Sequence, residues 1–335
     1  MKIVLLHDDI PPNAREDELD VFVQCAAIEG ALQELGHTHA RLPFALDLAT
    51  TRARLRELKP DAVFNLVEAV EGQGRLLPLA PMLLDAMAVP YTGSHTEALF
   101  LTTNKVLAKR WLSRHGVPTP EFVRPWSAER GAPGKLPPGR WIIKPTSEEG
   151  SVGLDEESVV DAADPDLVAK LQRVRDRLGD DIFAERYIDG REFNLSMLGG
   201  AMDTSGGPAV PEVLPPAEIH FTDYPPEKPH VVGYRAKWDD QSFEFHHTPR
   251  SFEFPPADAE LLKTLHRFAG QCWDVFGLRG YVRVDFRIDA GQPSVLELNA
   301  NPCLSPDAGF YAATQRAGLR FADVIARILT DALRP

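Results

Sequence analysis

Apolar positions along this chain fall into short runs of strand length and longer runs at helical spacing, and the two alternate from the start. Ile3 to Leu6 is a continuous apolar run, followed by a polar loop holding Pro11, Pro12 and Asn13. Leu19, Phe22, Val23, Ala26, Gly30 and Leu35 then recur at helical spacing from about Glu16, and Gly36 marks the stop. Arg52 to Leu58 reads as a short helix, Ala62 to Val67 as a second buried strand, and Leu76 to Met87 as a helix before the turn Pro90 to Ser94. This order predicts a doubly wound α/β domain with a parallel sheet. Its ligand side would be the loops His7 to Asn13 and Glu68 to Arg75.

Asn104 to His115 predicts a helix closed by Gly116, and Val117 to Pro120 a linker. After a Pro/Gly-rich passage from Gly131 to Gly139, Trp141 to Lys144 reads as a strand and Glu148 to Gly153 as a small-residue loop. A helix over Asp164 to Leu178 and strands over Asp181 to Ile188 and Glu192 to Leu198 complete an α+β unit suited to holding a nucleotide. Gly206 to Arg250, rich in Pro, His and aromatics, has no period and predicts a long, mobile active-site loop. Leu261 to Phe276 is amphipathic, and two helices, about Gly309 to Ala317 and Phe321 to Leu333, end the chain.

Between them lies the most informative stretch, Tyr281 to Pro302. Two β-prone runs flank the turn cluster Asp289 to Pro293, so a hairpin is predicted. A turn centred near Gly291 sets Asp285 opposite Glu297 and Arg283 opposite Asn299, with Val295 on the face of Glu297 and with Leu296 and Leu298 on the other. Carboxylates facing each other across a ladder need a positive charge between them. A hard divalent cation is one answer, with Asn299 as a third oxygen donor; a solvated outer face with alternating charges is the other.

Composition narrows the field. The 335 residues suggest two or three domains, with 44% hydrophobic and 25% charged residues as in soluble globular proteins. A net charge of −13 argues against a nucleic-acid or anionic-membrane surface, though not against phosphate ligands, which answer to local cations. Three cysteines in so long a chain point to a reducing compartment, and no run approaches membrane-span length, so a cytoplasmic location is expected. Lys144 ends a strand before a loop whose N–H groups suit phosphate, although the spacing is not Walker A and Glu148 and Glu149 would repel an anion. Glu185 to Glu192 suits a nucleoside clamp, with backbone groups at Arg186, Tyr187 and Ile188 on a base edge and Glu192 on ribose hydroxyls. Lys237 sits where a loop lysine would close on phosphates. Taken singly, each reads better as an exposed lysine or a polar-edged hairpin.

In order, these segments resemble the ATP-grasp superfamily, specifically its D-alanine–D-alanine ligase branch. The carriers are Pro90 to Ser94, Asn104-Lys105, Ile143-Lys144-Pro145 with the loop to Gly153, Glu185 to Glu192, Tyr234 to Trp238, Arg283 to Phe286 and Leu296 to Pro302. The resemblance implies an N-terminal doubly wound α/β domain over residues 1–98. A two-lobed ATP-grasp fold would follow, with a nucleotide-holding lobe over 99–187 and a metal-bearing catalytic lobe over 188–335. It implies an ATP-dependent carboxylate–amine ligase working through an acyl phosphate on small amino-acid or peptide substrates. Lys105, Lys144 and Lys237 would meet the phosphates, Glu185 with the Arg186–Ile188 backbone the adenine, and Glu192 the ribose. Asp285, Glu297 and Asn299 would bind two Mg²⁺ ions, with Mn²⁺ as an alternative, while Arg283 and the loop residue Ser151 would join Lys237 in catalysis. A homodimer is implied in the same way.

The departures concern the amino-acid substrates. One loop serine is missing from Glu149-Gly150-Ser151, and Trp238 follows the loop lysine where tyrosine is usual. Cys303 replaces a glycine, and the serine for the acceptor carboxylate falls near Asp307-Ala308. The N-terminal domain has Asn65-Leu66-Val67-Glu68 in place of a histidine–glycine loop, leaving Glu16, Glu18 and Glu68 as candidates to orient substrate. D-Alanine as both donor and acceptor therefore does not follow from the resemblance. A dehydrogenase is weakened by the lack of a G-x-G-x-x-G turn after Leu6, and a non-catalytic nucleotide-binding regulator by the retention of Arg283 with three metal-ligand types.

Overall fold

A computed structural model describes residues 1–124, 136–148, 150–179, 181–200 and 210–334. Glu149 and the expected features over 131–135 and 206–209 lie outside these residues. The first unit runs β1 (Lys2–Asp8), α1 (Glu16–Glu34), β2 (Thr38–Phe44), α2 (Leu48–Leu58), β3 (Ala62–Asn65) and α3 (Leu79–Ala86). Its sheet is parallel in the order β2-β1-β3. The centre of β1, Ile3 to Leu6, is apolar because both its faces are covered: Ile3 and Leu5 pack under α1, Val4 and Leu6 against the α2–α3 side. β2 has no counterpart among the strands expected from sequence; Arg41 and Pro43 interrupt its apolar pattern.

Next come α4 (Thr96–Thr103), α5 (Lys105–Arg114), β4 (Phe122–Val123), β5 (Arg140–Pro145), β6 (Val159–Asp161), α6 (Leu167–Leu178) and β7 (Ile182–Arg186). The four strands form an antiparallel sheet in the order β4-β7-β5-β6, covered by α6 through Leu171 and Val174. The remaining elements are β8 (Arg191–Leu198), β9 (Glu212–Val213), β10 (Ala217–Ile219), α7 (Tyr234–Trp238), α8 (Phe243–His246), β11 (Arg250–Ser251) and α9 (Ala259–Phe276). β12 (Tyr281–Asp289), β13 (Gln292–Asn299), α10 (Gly309–Arg316) and α11 (Phe321–Ala332) complete the chain. Their sheet runs β11-β10-β8-β12-β13, and α9 with α4 and α5 buries its apolar face, each buried Leu or Phe contributing roughly 2 kcal/mol. α11 packs back on α1 and β3, so the end of the chain shares a core with its beginning.

Two expectations are corrected here. The passage to Arg250 is not wholly irregular, since β10 and β11 extend the large sheet and α7 and α8 cross above it. In the hairpin, the turn is Ala290-Gly291, both at positive φ (47° and 81°), half a residue short of the expected centre. That register would face Asp285 with Leu296, but a bulge between Asp285 and Phe286 adds one residue and restores Asp285 opposite Glu297. The bulge also sends Val295 into the core and turns Leu296 toward the cavity, the reverse of simple alternation.

Candidate active site

The two antiparallel sheets, with α1 and the loop after β3, enclose a cavity of about 450 Å³ lined by every site residue expected from sequence: Ser151, Lys105, Lys144, Glu185, Arg186, Tyr187, Ile188, Glu192, Lys237, Arg283, Asp285, Glu297 and Asn299. The large sheet supplies its floor. Across β8, β12 and β13, Asn194, Asp285 and Glu297 stand in one row, and Ser196, Arg283 and Asn299 in the next. The Asn194 amide donates to Asp285 at 2.8 Å, and Arg283 grips the same carboxylate with two bonds of 2.8 Å. Two residues along one strand face bring Arg283 within reach of Asp285.

Glu297 receives its compensation from several directions. Lys105 Nζ lies 3.6 Å away while donating to the Glu148 carbonyl at 2.7 Å. Burial works to raise the Glu297 pKa, but Lys105, Lys144, Lys237 and Arg283 hold it down to about 2. Side-chain cations thus answer the facing carboxylates, which shows why such a pair does not by itself demand a metal. Lys237, on α7, has its pKa lowered by burial and then by Arg283, with Glu297 and Asp285 opposing. The oxygens of Asp285, Glu297 and Asn299 are the hard donor type that suits Mg²⁺, provided that Arg283 releases part of Asp285. Among the described residues no cluster of three or more His, Cys, Asp or Glu groups as a metal site.

The nucleotide end differs from expectation at Glu185. Its carboxylate, 1% exposed, is taken by Lys109 at 2.6 Å and by Lys144, and these two hold its pKa down against burial. A buried carboxylate has to be paired, so it serves the lysines before any base. Lys109 went unnoticed in the sequence, although it lies four residues after Lys105 on α5. The Arg186 side chain turns outward, donating to Pro138 O and Glu121, and the Arg186 and Tyr187 amides are spent on Glu121 O and Arg140 O. Glu192 is paired at 2.6 Å with the buried Arg287, which also donates to the Gly190 and His230 carbonyls.

Over the cavity the small-residue loop is tied to the segment bearing α7. Ser151, at φ +60°, donates its hydroxyl to Val232 O at 2.8 Å; Trp238 donates to Gly150 O and the Tyr234 amide to Leu154 O, both at 3.0 Å. Tyr234 then donates to Asp17 on α1 at 2.9 Å. At this far end, Asp17 and Asp20 line the cavity with Glu68, whereas Glu16 and Glu18 do not; Glu18 instead caps its own helix from the Arg15 N–H.

The cavity is thus framed by two antiparallel sheets, cationic at one end and roofed by a latched loop. A family model described as the C-terminus of D-ala D-ala ligase matches residues 137–330. The uncharacterised protein y4sG of Sinorhizobium fredii is 31% identical over 317 residues, covering 92% of this chain and 87% of its own. The D-alanine–D-alanine ligase of Moorella thermoacetica is 28% identical over 350 residues, covering 100% of both chains. In fold, the crystal structure of D-alanine–D-alanine ligase from Bacillus anthracis complexed with ATP superposes with a TM-score of 0.73 at 17% identity, covering 100% of this chain and 98% of that one. The chain belongs to the D-alanine–D-alanine ligase-like family of the ATP-grasp superfamily. It is an ATP-dependent, ADP-forming ligase of the kind that makes amide bonds. Among the described residues no helix is long and apolar enough to cross a membrane.

Proposed function

We propose that this chain joins the carboxylate of one small amino acid or peptide to the amine of another through an acyl phosphate. The observation that carries this reading is the row Asn194–Asp285–Glu297 ringed by Lys105, Lys144, Lys237 and Arg283. So many cations around two carboxylates suit a polyphosphate with its metal better than any neutral ligand. Lys105, Lys144 and Lys237 hold the phosphates, and Asp285, Glu297 and Asn299 hold Mg²⁺, which supplies charge neutralisation when bound. Glu185 positions Lys144 and leaves the base to backbone groups near Ile188, while Glu192, steadied by Arg287, faces the ribose. Arg283 exchanges Asp285 for the oxyanion of the adduct, and the Ser151 latch excludes water.

We take the domain boundaries at 98 and 187. A cytoplasmic location is supported by three free thiols, and a homodimer by the exposed apolar stripe Leu19, Phe22 and Val23 on α1. Within this class D-alanine is the first donor and acceptor to try; Asp307 and Cys303 lining the far end favour a different acceptor. The test is ADP release across D- and L-amino acids with mass detection of the amide. Release with D-alanine alone selects D-alanyl-D-alanine, and no release with any amine sinks the ligase reading.

A further inference from the structure

The sequence puts Glu148 beside the phosphate lysines, where its carboxylate would repel an anion, and the fold gives that residue another task. Its backbone serves Lys105. The Glu148 carbonyl accepts from Lys105 Nζ at 2.7 Å, and two residues earlier the Thr146 carbonyl accepts from the Lys105 amide at 2.8 Å. The segment Thr146 to Glu148 therefore holds Lys105 at both ends. The half-buried Glu148 side chain serves the N-terminal unit instead: its carboxylate accepts from the Gly74 amide in the loop after β3. The two backbones touch here, since a methyl on Gly74 would run into the Ser147 carbonyl and sit 3.4 Å from Glu148 Oε2.

Small polar residues such as Thr146, Ser147, Gly150 and Ser151 give this segment no large apolar side chain to anchor it, so hydrogen bonds decide where it sits. The Thr146 amide ties one edge to the Asp181 carbonyl at 2.8 Å. The Gly74–Glu148 bond ties the other, across the seam between two units of the chain. Burial raises the Glu148 pKa, while the Gly74 amide and then Lys105, Arg15 and Arg75 favour its charged form. Building on the reading of Lys105 as a phosphate lysine, we propose that Glu148 is a positioning residue. Its bond to Gly74 fixes the start of the small-residue loop, and the loop's carbonyls in turn aim the Lys105 ammonium at the phosphates. The task needs an acceptor oxygen rather than a negative charge, so glutamine fulfils it and alanine does not.

The test compares Glu148→Ala, Glu148→Gln and Gly74→Ala on the full-length chain, with two readouts. The first is acetic anhydride labelling of Lys105 without nucleotide, followed by peptide mapping. Lys105 is 6% exposed, so it labels slowly in the wild type. The rate is expected to rise at least about fivefold in Glu148→Ala and Gly74→Ala, and to stay near wild type in Glu148→Gln. The second is calorimetric binding of Mg-ADP, whose Kd rises about tenfold in the same two variants and not in Glu148→Gln. Both changes act on one seam, so the double variant Gly74→Ala/Glu148→Ala binds no more weakly than the worse of the two. Wild-type labelling and affinity in Glu148→Ala, a loss in Glu148→Gln equal to that in Glu148→Ala, or additive losses in the double variant overturn the proposal. Should Glu148→Ala not fold, Gly74→Ala against Glu148→Gln carries the same comparison from the other side of the seam. Failure of every amine to drive ADP release would instead refute the ligase reading and leave both readouts to decide the role of Glu148.

Discussion

Asp285 anchors Arg283 through two hydrogen bonds, and in the proposed site it is a metal ligand as well. Asp285→Asn keeps the shape and the Asn194 neighbour but loses the charge that both partners need. Turnover with Mg-ATP should fall by about a hundredfold or more, and likewise in Glu297→Gln, with circular dichroism unchanged. Ordinary ADP release in either variant would remove these residues from the site. Lys109 tests the other carboxylate. Removing it strands one side of Glu185 in a fully buried place, so Lys109→Met should cost on the order of 3 kcal/mol in thermal unfolding. Adding Glu185→Gln should recover part of that loss, since the half-paired buried charge is then gone and only Lys144, at the cavity wall, lacks its partner; no recovery would show that the pair is not the cause.

At the scale of elements, the tip of β1 is fastened to the loop after β3 by Asp8, which accepts from the Glu68 amide at 2.9 Å and the Ala69 amide at 3.1 Å. Burial lifts its carboxyl to about 7 against those two donors. The folded pKa lies above the unfolded value of 3.8, so the protonated side chain favours folding. That contribution is complete below about pH 4 and is lost as pH rises through 7. Relative to wild type, Asp8→Asn should therefore gain stability by up to about 1.4 kcal/mol per unit between these limits. A pH-independent difference in melting midpoint would contradict the burial argument. Elements with a strong period were legible in the sequence: α1, α9 and the hairpin fall close to their expected places. β2 and α4 were not, because Pro43 breaks one pattern, while the other, with Thr102 and Thr103 at its end, abuts the Asn104 cap of α5. Strands of two or three residues such as β10 and β11 exist through pairing, β10 with β8 and β11 with β10, which no local period records.

The same division holds for the whole molecule. Motif residues that lie on one strand were visible, whereas Lys109, Arg287 and Asn194 became partners of the site only when helix, sheet and loop closed around it. Closure itself depends on small residues at the seams. A methyl on Gly74 would meet the Ser147 carbonyl at 2.3 Å, and one on Gly233 would meet the Leu154 carbonyl at 2.6 Å, both closer than real contacts allow. Gly233→Ala is the cleaner probe, because its own φ of −81° suits alanine and only the latch is disturbed. The methyl must push the small-residue loop away from α7, loosening the Ser151, Gly150 and Leu154 bonds and admitting water beside Lys237. Substrate-driven closure then has to overcome that clash in every cycle, so kcat should fall and KM for ATP rise together, by about tenfold in kcat/KM. The thermal shift produced by Mg-ADP should shrink, while the melting midpoint without nucleotide stays near wild type. If Gly233→Ala keeps full activity, the loop and α7 do not close as one roof, and water exclusion must come from the α1 side through Tyr234 and Asp17.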